Sequence, residues 1–383
     1  MAGPDHAGRD DEGSCRRVSD ADRVALVHDY LTQRGGAERV VLALAATFPV
    51  APIYTSLYDP AGTFPEFSPL DVRTLPLNRV APVRTHHRLA LPVLAPAFSR
   101  LHVNAEVAIC SSSGWAHGAR VSGRKIVYCH TPARWLYQAD RYLAGQSRLS
   151  AGVLSLLTPP LRRWDRRAAA SARRYLVNSH AVGQRVHDLY GIEAEVVPPP
   201  VDVDLAGKRT EVAGIEPGFI LCVSRLLPYK NVDAVTAAFR RLGAHRLVVV
   251  GSGPLSDQIT AASPDNVTVL GRVSDDQLRW LYASSAGLVA ASYEDFGLTP
   301  VEAALFGKPT AALRWGGFLD TTVEGTTGVF FDQPDPQLIA DAVEQLATTR
   351  WSADSLTAHA ARFSAGRFAD RIRAVVGEEQ EAG

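Results

Sequence analysis

Two carboxylates and two cations in the second half of the chain have the types and spacing to bind a charged, hydroxyl-bearing ligand. Glu294 and Glu302 bracket the run Asp295-Phe296-Gly297-Leu298-Thr299-Pro300-Val301, and Arg225 and Lys230 bracket Leu226-Leu227-Pro228-Tyr229. Carboxylates accept hydrogen bonds from hydroxyls. Fixed cations hold a diphosphate and act most strongly as negative charge builds on a departing phosphate. Anion donors beside hydroxyl acceptors suit a nucleotide sugar.

The elements around these groups must bring them to one edge. Gly287 to Ser292 is an apolar run that reads as a buried parallel strand ending before Glu294. Thr299 and Pro300 read as N-cap and first helical residue of the next helix, which Gly307, Lys308 and Pro309 close. Phe219 to Ser224 reads as a strand ending at Arg225, and Lys230 precedes a helix from Val232 to Leu242 with Asn231 as its cap. All four charged groups then follow strands of one sheet, at the edge where open α/β sheets bind ligands. Two other readings stand beside this one. Thr299-x-x-Glu302 also spells a capping box, and Arg225 with Lys230 could be a solvated loop pair.

The first half offers its own candidates. Strands are read at Arg23 to His28, Val107 to Cys110, Lys125 to Cys129, Tyr175 to Asn178 and Glu195 to Val197. Helices are read at Ala37 to Thr47 and His180 to Tyr190. Gly35-Gly36 follows His28-Asp29-Tyr30 and either admits a phosphate or sugar close to backbone or is a plain turn. His130 ends a strand beside Thr131-Pro132, a position suited to a ligand. Arg162, Arg163, Arg166, Arg167, Arg173 and Arg174, flanked by Trp164 and Tyr175, read as a contact for an anionic membrane surface or acceptor. A solvated helix face, offset only by Asp165, is the competing reading.

The second half repeats the alternation of strands and helices. Further strands are read at Arg246 to Val250 and Val267 to Leu270, and helices at Asp275 to Ala283 and Pro336 to Thr348. The proline triplet Pro198 to Pro200 stiffens the chain and marks a domain boundary. Gly251-Ser252-Gly253-Pro254 follows a strand, but Ser256 stands where a dinucleotide fingerprint needs its third glycine. It reads as a tight turn that lets a ligand or neighbouring backbone approach. These features imply two doubly wound α/β domains facing across a cleft.

Bulk properties narrow the function classes. In 383 residues, 40 basic and 40 acidic side chains balance, which argues against a nucleic-acid partner. Cys15, Cys110, Cys129 and Cys222 are widely spaced and form no zinc pattern; reduced, mostly buried thiols fit a cytoplasmic protein. The first twenty residues are polar, read as a disordered tail, and lack the apolar core of a signal peptide. No apolar stretch reaches membrane-spanning length.

Several stretches together resemble retaining glycosyltransferases of family 4, which have the GT-B fold. They are Val27-His28-Asp29-Tyr30, Gly35-Gly36-Ala37-Glu38, Tyr128-Cys129-His130-Thr131-Pro132, Val223-Ser224-Arg225 with Lys230, Gly271-Arg272-Val273-Ser274 and the Glu-x7-Glu run. The nearest likeness is to mannosyltransferase-like members, implying GDP-mannose as donor, with a UDP-linked sugar as the alternative. With the polar tail over 1–20 and the proline boundary already read, the resemblance makes 21–198 an acceptor-side domain and 199–363 a donor domain. A terminal helix at about 364–383 would return to the first domain.

By position, Arg225 and Lys230 would hold the diphosphate and Glu302 the ribose hydroxyls. Glu294 would hold the donor sugar, with the amides of Phe296, Gly297, Leu298 and the neighbouring Thr299 at the same place. His130 would contact the sugar near the reacting carbon, Gly35 and Gly36 would close on the donor phosphate, Val273 would border the base, and Gly251 would line the donor side. Ser111-Ser112-Ser113-Gly114-Trp115-Ala116-His117 departs from the family's form, where a histidine often directly follows the serines.

The implied reaction is hexose transfer to a hydroxyl of a glycan, lipid-linked or small acceptor, with retention. It would need neither metal nor cofactor beyond the donor, the two cations taking the metal's place. Rival readings are a sugar phosphorylase or nucleotide-sugar synthase, an epimerase, and a non-catalytic sugar-nucleotide-binding or scaffolding subunit. The expected location is the cytoplasm, with peripheral contact at the inner membrane face through the arginine segment.

Overall fold

A computed structural model describes residues 23–85, 91–138, 148–201 and 203–382; the expected N-terminal tail and Cys15 lie outside these residues. The first half builds a seven-stranded sheet from β1 (Val24–His28), β2 (Ile53–Thr55), β3 (Val72–Thr74), β5 (Val107–Ser112), β7 (Arg124–Cys129), β8 (Arg174–Val177) and β9 (Glu195–Val196). Beside it, β4 (His102–Val103) and β6 (Arg120–Val121) pair as a short ladder. The second half forms a six-stranded sheet from β10 (Ile220–Val223), β11 (Leu247–Val250), β12 (Val267–Gly271), β13 (Gly287–Ala290), β14 (Thr310–Leu313) and β15 (Gly328–Phe331).

Every pairing in the large sheets is parallel, in the orders β3-β2-β1-β5-β7-β8-β9 and β12-β11-β10-β13-β14-β15. The uninterrupted burial of β1, β5, β11, β13 and β14 has its cause here, because helices cover both faces of such sheets. The strand order reverses between β1 and β5 and again between β10 and β13. A crevice forms where the two connections diverge, so each sheet offers one at its carboxyl edge.

Several elements differ from the sequence-based expectation. The helix expected to reach Leu242 stops at Ala238. Asn266 explains this: its Nδ2 donates to the carbonyls of Phe239, Leu242 and His245 at 3.0, 3.0 and 2.9 Å, taking over groups the helix would have used. Strands β2, β3, β14 and β15 lacked a readable pattern, being short or, like Thr310-Ala311-Ala312-Leu313, poor in β-branched residues; burial against neighbours makes β2, β14 and β15 strands, and pairing with β2 holds the exposed edge strand β3.

The arginine segment runs from the helix Arg148–Ala170 through Arg173 in the connection to Arg174 at the start of β8. Asp165 does not offset its surface charge. That carboxylate is buried, facing His117 Nε2 at 3.0 Å and accepting from the Tyr137 and Tyr190 hydroxyls, each at 2.7 Å. No helix among the described residues is long and apolar enough to cross a membrane.

The chain leaves the first sheet after Val196, and Val201 N–H then donates to Phe363 O at 2.8 Å, tying the outward and return crossings together. Ser364 caps the terminal helix Ala365–Glu381. Phe368, Ile372, Val375 and Val376 share one face at helical spacing and pack in the core of the first domain with Val41 and Val107.

Candidate functional site

The four charged groups first singled out all follow β10 or β13, the neighbouring strands at the second sheet's order reversal. Lys230 sits in a short 3-10 turn, Pro228–Lys230, with the backbone of Asn231 left-handed behind it. Asn231 is not the side-chain cap expected of it; its Nδ2 donates to Ala291 O at 2.8 Å and fastens the β10 loop to the β13 loop. That tie brings Lys230 Nζ into an ion pair with Glu294, and the ammonium also lies 5.0 Å from the centre of the Tyr229 ring. Arg225 is exposed, and its guanidinium donates to the Tyr229 hydroxyl at 3.3 Å. One cation is therefore neutralised by Glu294 while the other stays exposed with no carboxylate partner among the described residues.

The helix after Glu294 starts two residues earlier than expected, at Leu298 rather than Pro300. Gly297, at φ +84°, occupies the cap position, and a Cβ there would come within 2.5 Å of the Phe318 ring. Thr299 is thus inside the first turn and forms no capping box. Glu302 is released from that duty and accepts instead from the Tyr282 hydroxyl at 2.7 Å. Phe296 turns its side chain into the core near the return crossing, packing edge-on to Phe363, so only its backbone is available to a ligand.

Gly251 lies half-buried just past β11. A Cβ on it would lie 1.8 Å from Ser224 O, so the glycine exists for close approach of the β10 and β11 ends. Val273, just past β12, is half-buried against the second core. It stands at the far end of the same edge, two strands from β10.

Across the crevice, the first sheet presents a packed network. His28, at the end of β1, donates from Nδ1 to Ser111 O at 3.0 Å, and its Nε2 lies 3.9 Å from Glu38. Burial pulls the His28 pKa down, but Glu38 and Asp29 together push it above its usual value. Burial likewise raises Glu38, and His28 more than offsets it, so the carboxyl titrates below its usual range. Gly35 permits this arrangement, since a Cβ there would meet Glu38 Oε2 at 2.6 Å.

His130 Nε2 lies 2.8 Å from Ser111 Oγ. Burial, with the positive charge of His28 adding to it, lowers its pKa to about 3, so His130 is neutral in ordinary buffers. Asp29 accepts from the amides of Ser113, Trp115 and Ala116 at 2.6, 3.1 and 2.6 Å, which shapes the serine loop. His117, displaced along that loop from the family's expected place, contacts Ser112 Oγ through Nδ1 at 2.9 Å.

The two edges touch. A Cβ on Gly36 would lie 3.7 Å from Leu298 Cδ1, so the glycine loop faces the donor-side helix. Asp295, the neighbour of Glu294, reaches the other way. It is 7% exposed and pairs with both Arg134 and Arg185 of the first domain, the latter at 2.6 Å, while its carbonyl accepts from Ser179 Oγ at 2.5 Å. The two arginines hold its carboxyl below the usual carboxylate range against the opposing effect of burial. No spacing in the sequence links these residues, which lie 161 and 110 positions apart. The only local signal was an acid beside Glu294.

Two parallel-sheet domains with their reversals facing one crevice define the GT-B fold. Solved structures of that fold superpose over nearly the whole chain. Sucrose-phosphate synthase from Thermosynechococcus elongatus matches with a TM-score of 0.71 and 17% identity, covering 94% of this chain and 100% of that one. HepE of Anabaena in complex with UDP and glucose matches with a TM-score of 0.66 and 17% identity, covering 93% and 100%.

Residues 34–205 match the model for glycosyltransferase family 4, and residues 209–363 that for glycosyl transferases group 1. With both halves matched in register with the fold, the chain belongs to these GT-B glycosyltransferases. D-inositol 3-phosphate glycosyltransferase of Mycolicibacterium smegmatis is 28% identical over 247 residues, 56% of this chain and 55% of that protein. The Mycobacterium bovis counterpart is also 28% identical, over 56% of this chain and 51% of its own length. The matched stretch spans about half the length of these curated relatives.

Proposed function

We propose that this chain transfers a hexose from a nucleoside diphosphate sugar to an acceptor hydroxyl, with retention at the anomeric carbon and without a metal. The observation that carries this reading is the Lys230–Glu294 pair beside the exposed Arg225 at the second sheet's order reversal. In the proposed complex the diphosphate draws Lys230 away from Glu294 and engages Arg225, and Glu294 is freed to accept hydroxyls of the donor sugar. Glu302, oriented by Tyr282, accepts from the ribose. In the same complex the backbone amides from Phe296 to Thr299 donate to the donor, and the Gly35–Gly36 loop, which faces Leu298, closes on its phosphate.

The acceptor oxygen attacks the anomeric carbon as the bond to the phosphate oxygen breaks. The leaving phosphate takes the hydroxyl proton, and both cations stabilise its growing charge. Neutral His130 serves as a hydrogen-bonding partner for the sugar rather than as an acid.

GDP-mannose is the first donor to test, on the sequence motifs. A UDP-linked hexose is the second, because the similar HepE structure holds UDP and glucose. The exposed Arg163 and Arg166 fit peripheral contact with an anionic membrane, which would suit a lipid-linked acceptor. Calorimetric titration with GDP, UDP, ADP and NAD, without added metal, tests the site. Selective binding of GDP or UDP, lost in Arg225→Ala, supports the reading. Binding of none by folded protein would favour a scaffolding subunit.

A further inference from the structure

The first domain carries a second concavity, away from the cleft. A depression of about 420 Å³ opens between the β6 ladder, the start of β7 and the end of the helix Arg148–Ala170. Arg120, Lys125 and Arg167 supply charge, Ser99 and Ser171 supply hydroxyls, and Trp164 forms a wall. No carboxylate lines it, and none of the three cations has a carboxylate partner among the described residues. Lys125 stands near the start of β7 and His130 just beyond its end, so about 16 Å of strand separates this depression from the cleft, at about 3.3 Å per residue.

Lys125 has no charge to answer its own. It is 7% exposed, and its Nζ donates to His117 O at 2.8 Å and to Ser171 Oγ at 2.7 Å, both neutral acceptors. A buried ammonium without a counter-charge is costly, and burial pulls its pKa down accordingly. Arg120 and Arg167 stand exposed at the rim, adding positive potential, and guanidinium forks match phosphoryl oxygens bidentately.

The wall is fixed in place. The Trp164 indole donates to Ser99 Oγ at 2.7 Å, and its ring overlies Gly118, where a Cβ would come within 2.4 Å. The volume falls in the range of small-molecule pockets and exceeds what a bare ion fills.

We propose that this depression binds a phosphoryl group carried on a compact organic body. Arg120 and Arg167 hold the phosphoryl oxygens, the Lys125 ammonium lies beneath them, and Trp164 packs against the uncharged part. The site stands independently of how the cleft is read.

The test uses the full chain at low salt. Calorimetry with glycerol 3-phosphate probes a soluble phosphate ester. Flotation with phosphatidylglycerol vesicles, against phosphatidylcholine vesicles, probes a lipid headgroup. Both are repeated on Arg120→Ala/Arg167→Ala and on Lys125→Met. The expected result is binding of at least one anionic probe, weakened tenfold or more in the double variant, with GDP or UDP affinity unchanged. Binding of glycerol 3-phosphate identifies a soluble ligand, and binding of anionic vesicles alone identifies a headgroup. No binding of either probe by folded protein, or binding indifferent to the double variant, overturns the proposal. The two arginines are exposed, so the outcome does not depend on Lys125→Met folding.

Discussion

The two sheet edges that meet at the cleft hold their charges in opposite ways. On the first edge, His28, Asp29, Glu38, Ser111 and His130 are buried and engaged with one another or with loop amides. On the second edge, Arg225 is exposed, Lys230 has a single carboxylate partner, and Glu302 accepts from one tyrosine. The first edge is a preformed wall whose hydrogen bonds are spent on its own shape. The second keeps charge in reserve for a ligand. Asp295 belongs in sequence to the second edge but behaves like the first, spending its carboxylate on two arginines across the domain boundary.

Replacing Asp295 breaks this comparison most severely. Asp295→Ala leaves Arg134 and Arg185 unpaired in a nearly closed interface and is expected to cost about 2–4 kcal/mol, below the fully buried figure because both arginines keep some contact with water. Denaturant unfolding measures this, and a cost under about 0.5 kcal/mol would show that the clasp is incidental. The same clasp sets an acid limit. The Asp295 pKa is lowered on folding, so its contribution is present above the ordinary value of 3.8 and is lost as the pH falls through the lowered folded value. Thermal midpoints that do not decline below that pH more steeply than those of Asp295→Asn would contradict it.

Arg225→Ala and Lys230→Ala sharpen the contrast from the second edge. Each is expected to lower kcat about 10²–10³-fold, as loss of a donor aimed at developing charge does, while Arg225→Ala, at an exposed site, leaves thermal stability nearly unchanged and Lys230→Ala, which unpairs Glu294, lowers it. Turnover with GDP- and UDP-sugars reads the first effect and calorimetric melting the second. Unchanged turnover would remove the cation from the mechanism.

The first edge predicts a spectroscopic contrast. His28 and His130 rings are 6.4 Å apart yet shift in opposite directions. NMR titration should find His28 protonating above pH 6.5 and His130 still neutral at pH 5. Glu38→Gln should bring the His28 value down, by removing its counter-charge. A His130 resonance titrating near pH 6.5 would show that this wall is wetter than its packing implies. The smallest effect is expected from Tyr282→Phe, which removes one hydrogen bond from Glu302 and should weaken nucleotide binding less than tenfold, or about 1 kcal/mol. A larger loss would give Tyr282 a direct role.

Legibility followed the same division. The second edge could be read because its groups are local: Arg225 and Lys230 flank one turn and Glu294 ends one strand, so strand and helix signals sufficed to bring them to one edge. Helix starts were less secure. Thr299-Pro300 outranks Gly297 on propensity, but Phe318 fills the space where any other residue's Cβ would sit, and Gly297 became the cap. Gly251 was read as open to a ligand or to backbone, and only packing chose the Ser224 carbonyl.

By itself, the sequence determined two doubly wound domains and the local placement of Arg225, Lys230, Glu294 and Glu302, because hydrophobic period and turn chemistry act over a few residues. Tertiary structure alone decided that Asp295 clasps Arg134 and Arg185, that Asp165 lies on the buried face of the arginine helix, and that His130 stays neutral. Those outcomes depend on burial and on charges brought together from distant parts of the chain, and neither is encoded in local spacing.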